Sequence, residues 1–187
     1  VHRLPRHRGR TLIVLLEIPQ PYDFELSLTR FREWGTDGAT VWHEGGLHRV
    51  ADGAEVRVEP APGGVRIEPG SSEAAAGISR LLGLPFDLEA FRAWATAEAT
   101  LGAVVERLAG FRPTLNPSAF EALVVAITTQ QISLLAAAAI RGRFVRHFGT
   151  EHEVAWEFPA RERIAAATPD EIVALGFSRS KAAYVLG

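Results

Sequence analysis

The sequence predicts an α+β N-terminal part, an antiparallel sheet with helices, followed by an all-α part. Three observations carry this. Between Thr40 and Glu68 the short runs VWH, LHRV, EVRVE and VRIE alternate with the turn clusters EGG, ADG and PAPGG, as in an antiparallel meander. From about Ser72 onward, apolar residues recur at helical spacing between glycines and prolines, the mark of successive helices. The 187 residues, 47% hydrophobic and 22% charged, suffice for one large or two small globular domains.

The chain opens with Arg3, Arg6, Arg8 and Arg10, read as a mobile basic tail, and then a strand over Leu12 to Ile18 ended by Pro19. This start is a poor signal peptide, because Glu17 and Pro19 follow at once without a small-residue cleavage site. Its apolar run TLIVLLEI falls far short of the roughly 20 residues that cross a bilayer. In PYDFELSLTRFREWG, Asp23 is an N-cap, Phe24, Leu28 and Phe31 fall on one face, and Gly35 stops the helix. The meander that follows reads as scaffold. Helices are then expected over EAAAGISRLLG, DLEAFRAWATAEA and LGAVVERLAG.

Asn116-Pro117 reads as a helix opening, after which Phe120, Leu123, Val124 and Ile127 form one apolar face. Ser133 is the N-cap expected for a helix running to Phe148 and closing at Gly149, with Gly142 suiting close approach of another helix. Thr168-Pro169-Asp170-Glu171 combines a capping box with proline at the first helical position. A short helix then stops at Gly176, and FSRSKAAYVLG begins another. The division between the parts is expected between Gly70 and Pro117, giving a small β-containing N-terminal domain with its following helices over 1–110 and a helical part over 111–187.

Several chemistries are unsupported by motif. With no cysteine, disulfides and thiolate chemistry are excluded, and a cytosolic location suits the chain. GxSxG, GxxxxGK[ST] and GxGxxG are absent. His43 and His48 flank the EGG turn beside Glu44, at a spacing that fits no standard metal motif. His147 and His152 straddle a helix end, where a cation favours the dipole. The four tryptophans are spread out and read as core residues. A net charge of −2 and a pI of about 6.3 give no global attraction to a polyanion, though a local cluster of cations still can.

The stretch AITTQQIS, residues 126–133, places polar residues between two apolar runs. Gln130 and Gln131 offer amide donors and acceptors beside the starting N–H groups of the helix led by Ser133. Helix starts attract phosphate, and glutamine reaches base edges. A solvated capping loop explains the same residues, and spacing alone favours that reading.

Residues 117–187 resemble the DNA-3-methyladenine glycosylase II branch of the helix-hairpin-helix DNA glycosylases. PSAFEALVVAITTQQISLLAAAAIRGRFVRHFG is similar to that family's helix-loop-helix with its paired glutamines, and FPARERIAAATPDEIVALGFSRSKAAYV to its next element. PYDFELSLTRF and the meander resemble, more loosely, the small domain before the glycosylase core. The resemblance implies that the second part is the first portion of a helix-hairpin-helix glycosylase domain. It implies cleavage of the base–sugar bond of alkylated purines such as 3-methyladenine after the nucleotide is swung out of damaged double-stranded DNA. Gln131 is then the residue that fills the vacated space and Gln130 lines it. Thr129 stands where relatives often have glycine, and Gln131 where some have leucine, so no hydrophobic wedge is available. Phe24 or Phe31 is expected to wall the lesion pocket, core packing explaining both equally well. Arg141, Arg143, Arg146, Arg179 and Lys181 are expected on phosphates or on solvated faces. The family's hairpin and its catalytic aspartate would follow Tyr184, so no catalytic residue is assigned and these 187 residues alone are expected to be inactive. Neither cofactor nor metal is expected, and the resemblance implies a monomer in the cytoplasm, nucleoid-associated if bacterial. Alternatives are an oxidised-purine glycosylase/lyase, a non-catalytic DNA-binding module and a helical interaction protein.

Overall fold

The computed structural model describes residues 12–187, and the arginine-rich start lies outside them. Strand β1 (Val14–Glu17) is followed by α1 (Phe24–Ser27), α2 (Thr29–Glu33), β2 (Thr40–His43), β3 (Gly46–Ala51), β4 (Ala54–Ala61) and β5 (Gly64–Glu68). The five strands form one antiparallel sheet in the order β1-β5-β4-β3-β2. Its turns follow from backbone chirality. Glu44-Gly45 and Asp52-Gly53 hold φ values of 47, 77, 54 and 70°, the left-handed pairs that match strand twist in tight hairpins.

The single helix expected over Phe24 to Gly35 is two. Leu28, fully buried, breaks the turn at φ −100° and ψ 10°. The Thr29 hydroxyl donates back to the carbonyls of Glu25 and Leu26, a bond that competes with helix continuation. Phe24, Leu28, Leu47, Val58 and Ile67 then share the first core with α3 (Ser72–Leu81).

The helices α4 (Leu88–Ala95), α5 (Ala99–Arg107), α6 (Ala119–Thr129) and α7 (Leu134–Phe148) follow. The N-cap of α6 is Ser118, not Asn116: its hydroxyl accepts from the Glu121 N–H at 3.1 Å. Ser133 caps α7 as expected, accepting from the Ala136 N–H at 3.2 Å. Gly149 does end α7, though at φ −88°, so handedness is not why glycine stands there. A Cβ on it would lie 2.2 Å from the Glu157 carbonyl oxygen. A Cβ on Gly142 would lie nearest the Arg146 guanidinium of the same helix.

A two-stranded ribbon, β6 (Thr150–Glu151) with β7 (Trp156–Glu157), leads to α8 (Arg161–Ala165), α9 (Pro169–Ala174) and α10 (Arg179–Leu186). Thr168 and Glu171 form the expected capping box. A second core gathers Val124, Phe144, Phe148, Ile164, Ile172 and Phe177. Of the tryptophans, Trp42 and Trp156 pack against these cores. Trp34 and Trp94 do not; they are 55% and 61% exposed. His147, in the last turn of α7 as expected, also contacts Glu171 of α9 at 2.8 Å, so it ties two helices together.

Ion pairs join the sheet to the helices. Arg49 of β3 donates to both carboxylate oxygens of Glu121 on α6, at 3.1 and 2.5 Å, and to the Thr40 hydroxyl at 2.7 Å. Glu55 of β4 accepts from the backbone N–H groups of Val154 and Ala155 and contacts His48 Nδ1 at 2.8 Å. Arg141 of α7 donates through Nε to Asp37 at 3.0 Å. Among the described residues, no helix is long and apolar enough to cross a membrane.

Candidate nucleic-acid interface

Residues 130–133 form a tight elbow between α6 and α7. Gln130 leaves the helix at φ −59° and ψ 128°, and Gln131 adopts φ +58°. For a non-glycine residue that left-handed conformation costs about 1–2 kcal/mol. Glycine would take it freely, so the side chain kept there points to a use for it. Gln130, Gln131, Ile132 and Ser133 are all exposed. The elbow continues into Leu134 and Leu135, the latter 67% exposed in the first turn of α7. Both amides therefore face outward, flanked by uncovered apolar side chains.

Ser133 has its own task. Its hydroxyl is engaged as the α7 cap, so it holds the helix start in place and has only a lone pair and its own proton left for another partner. The last turn of α6 is satisfied from within and from afar. Thr129 donates to the carbonyls of Val125 and Ala126, and Thr128 to that of Val124. Lys181, in the first turn of α10, donates from Nζ to the carbonyls of Thr128 and Gln130 at 2.9 and 2.8 Å. Its ammonium is thus committed to the junction. Arg179, by contrast, is 86% exposed and lies 3.7 Å from Asp170, a pair that water screens heavily. Arg143 donates to the Leu175 carbonyl at 2.7 Å.

Beside the elbow lies a cavity of about 290 Å³ lined by Arg30, Trp34, Gly35, Val125, Thr129, Leu134, Ala138 and Arg141. It sits between α2 and the facing surfaces of α6 and α7. Burial pushes the Arg30 guanidinium below its ordinary range, and Arg141 adds to the shift while Asp37 and Glu121 oppose it. Arg141 is 7% exposed, and its Nη1 has no hydrogen-bond partner among the described residues. The cavity is thus lined by an indole and two guanidinium-bearing side chains.

Phe24 and Phe31, the aromatic residues expected at a lesion pocket, do not line this cavity. Phe24 is buried in the first core, tilted against Trp42 at 5.7 Å. Phe31 packs on the same core beneath the Arg30 guanidinium, 4.8 Å from its ring centre. Trp34, three residues beyond Phe31, is the aromatic side chain that lines the cavity. Two signals in the sequence pointed to this place. A tryptophan next to the stopping glycine is poorly placed for a core, and Arg141 follows an alanine-rich run in which Ala137 and Ala138 are buried.

The structure thus presents a strained polar elbow beside a mixed aromatic and cationic cavity. Residues 124–187 match the family "HhH-GPD superfamily base excision DNA repair protein". It is 33% identical over 105 residues to a DNA-3-methyladenine glycosylase of Bacillus subtilis, a match covering 54% of this chain and 35% of that protein. The chain thus spans about a third of the length of that relative. The structure superposes on the 3-methyladenine DNA-glycosylase from Archaeoglobus fulgidus with TM-score 0.75 and 25% identity, covering 93% of this chain and 64% of that one. An 8-oxoguanine glycosylase/lyase of Clostridium acetobutylicum, in complex with double-stranded DNA, shares the fold at TM-score 0.67 and 15% identity, over 88% of this chain and 57% of that one.

Proposed function

We propose that the chain belongs to a base-excision DNA glycosylase that extrudes a damaged nucleotide and hydrolyses its N-glycosidic bond, with alkylated purines such as 3-methyladenine as substrates. The observation that carries this is Gln131, exposed and held at φ +58° between two helices. A duplex hides the scissile bond, so an enzyme acting on it must fill the gap left by the extruded nucleotide. A rigid elbow bearing an amide meets that need. The start of α7 adds backbone N–H groups for a neighbouring phosphate, and the exposed Arg179 is placed for another. Trp34 supplies a ring face, which attracts the cationic charge of an alkylated base. The partner is damaged double-stranded DNA, and the protein works as a monomer in the cytoplasm.

A second reading draws support from Arg30 and Arg141. Guanidinium groups donate to carbonyl oxygens, which an oxidised purine presents and a cationic alkylated adenine lacks. The identity of the base released from duplexes carrying each lesion decides between the two.

No side chain among the described residues is assigned to bond cleavage, and the 187-residue chain alone is expected to release no base. Its DNA recognition is testable directly. Gln131→Ala should weaken binding to a duplex with an abasic analogue more than to an undamaged duplex, measured by fluorescence anisotropy. Equal losses on both would remove Gln131 from this role. For the full-length protein, methylated duplex DNA should yield free base, and intact DNA after prolonged incubation would refute the repair reading.

A further inference from the structure

We infer that Lys181 is a positioning residue for the elbow, holding Gln131 in its gap-filling conformation, and is not a contact to DNA phosphate. This rests on the reading of the elbow as the DNA-facing element. From sequence, an exposed-helix lysine near a DNA surface reads as a phosphate ligand. The structure gives it another task. The Nζ group donates 2.9 Å to the Thr128 carbonyl and 2.8 Å to the Gln130 carbonyl.

Those two acceptors matter for a geometric reason. The Gln130 carbonyl belongs to the peptide plane that joins Gln130 to Gln131. Gln131 φ is the torsion immediately after that plane, and it lies at +58°. A bond to this oxygen fixes the plane against which the left-handed torsion is set. The second bond anchors the same ammonium to the last turn of α6. The turn and the elbow thereby become one rigid unit. A cation is well placed at a helix C-terminus, where carbonyls are left without N–H partners.

Lys181 is itself held firmly. Its backbone N–H donates to the Ser178 cap at 3.3 Å, and its neighbours Ala182 and Val185 lie in the second core. The elbow's shape is thus referenced to α10, 51 residues further along the chain. Two of the three ammonium protons are thus directed at backbone carbonyls. An arginine can reach the same oxygens, with a planar fork in place of a compact ammonium.

The test compares wild type, Lys181→Met and Lys181→Arg, each as the 187-residue chain. Dissociation constants are measured for undamaged duplex and for duplex with an abasic analogue, between 50 and 200 mM salt. Lys181→Met is expected to lower the preference for the abasic duplex about tenfold, with the salt slope on undamaged duplex unchanged. Lys181→Arg should keep the preference within about threefold of wild type. If instead the slope falls by about one while the preference survives, Lys181 is a phosphate contact, and the inference is overturned with the glycosylase reading intact. No preference in the wild-type chain would overturn the elbow's role and this inference together. Should Lys181→Met unfold, Lys181→Gln replaces it, and the three-bond HN–Hα coupling of Gln131 reports its torsion directly. A coupling unchanged from wild type in the folded variant would also refute the inference.

Discussion

The ion pair between Arg49 and Glu121 offers the sharpest test of how the two halves are joined. Both side chains are only 8% exposed, and the bidentate geometry leaves each carboxylate oxygen with a guanidinium donor. Glu121→Ala removes the carboxylate and strands a buried cation whose remaining partner is the Thr40 hydroxyl. Breaking a buried pair from one side costs about 3–5 kcal/mol. For a chain of this length, that lowers the melting temperature by about 6–20 °C. Thermal unfolding followed by circular dichroism reads the shift. The double variant Arg49→Met/Glu121→Leu removes both charges and fills similar volume, so it should recover at least half of the loss. A Glu121→Ala melting temperature within 2 °C of wild type would refute the reasoning, because it would mean that water already reaches the pair. A double variant as unstable as the single one would refute it differently, by showing that packing at the site, and not the stranded charge, sets the cost.

Two further outcomes are expected. Burial pushes the Glu55 carboxyl up, yet the N–H of Val154, the His48 ring and the N–H of Ala155 outweigh it and hold the group below its ordinary range. The stability this clasp contributes is therefore present above the unfolded carboxylate value of about 4.3 and is lost as pH falls through the lower folded value. The difference in urea midpoint between wild type and Glu55→Gln should narrow as pH falls from 7 to 3.5; a gap that stays constant would show that the carboxylate is not the source. Gly149→Ala places a Cβ 2.2 Å from the Glu157 carbonyl oxygen and 2.6 Å from that of Val145. It should cost about 1–3 kcal/mol, and a melting temperature within 1 °C of wild type would mean that α7 and β7 separate freely.

The sequence by itself determined the elements whose causes are local. Caps at Asp23, Ser133 and Thr168 reach only three residues ahead. The left-handed hairpin turns at Glu44-Gly45 and Asp52-Gly53 depend on their own torsions. Resemblance implied that the paired glutamines sit on a DNA-facing elbow, and the fold leaves both exposed between α6 and α7. Tertiary structure decided everything that needs a distant partner. Phe24 went to the core, whereas Trp34, read from sequence as a core residue, lines the cavity. Lys181 was drawn to carbonyls 51 and 53 residues away, and Glu121, unremarked in its helix, met Arg49 across 72 residues. The physical reason is common to all three. A charged or aromatic side chain settles where its burial and its partners are jointly satisfied, and partners separated by dozens of residues are adjacent only once the chain has folded.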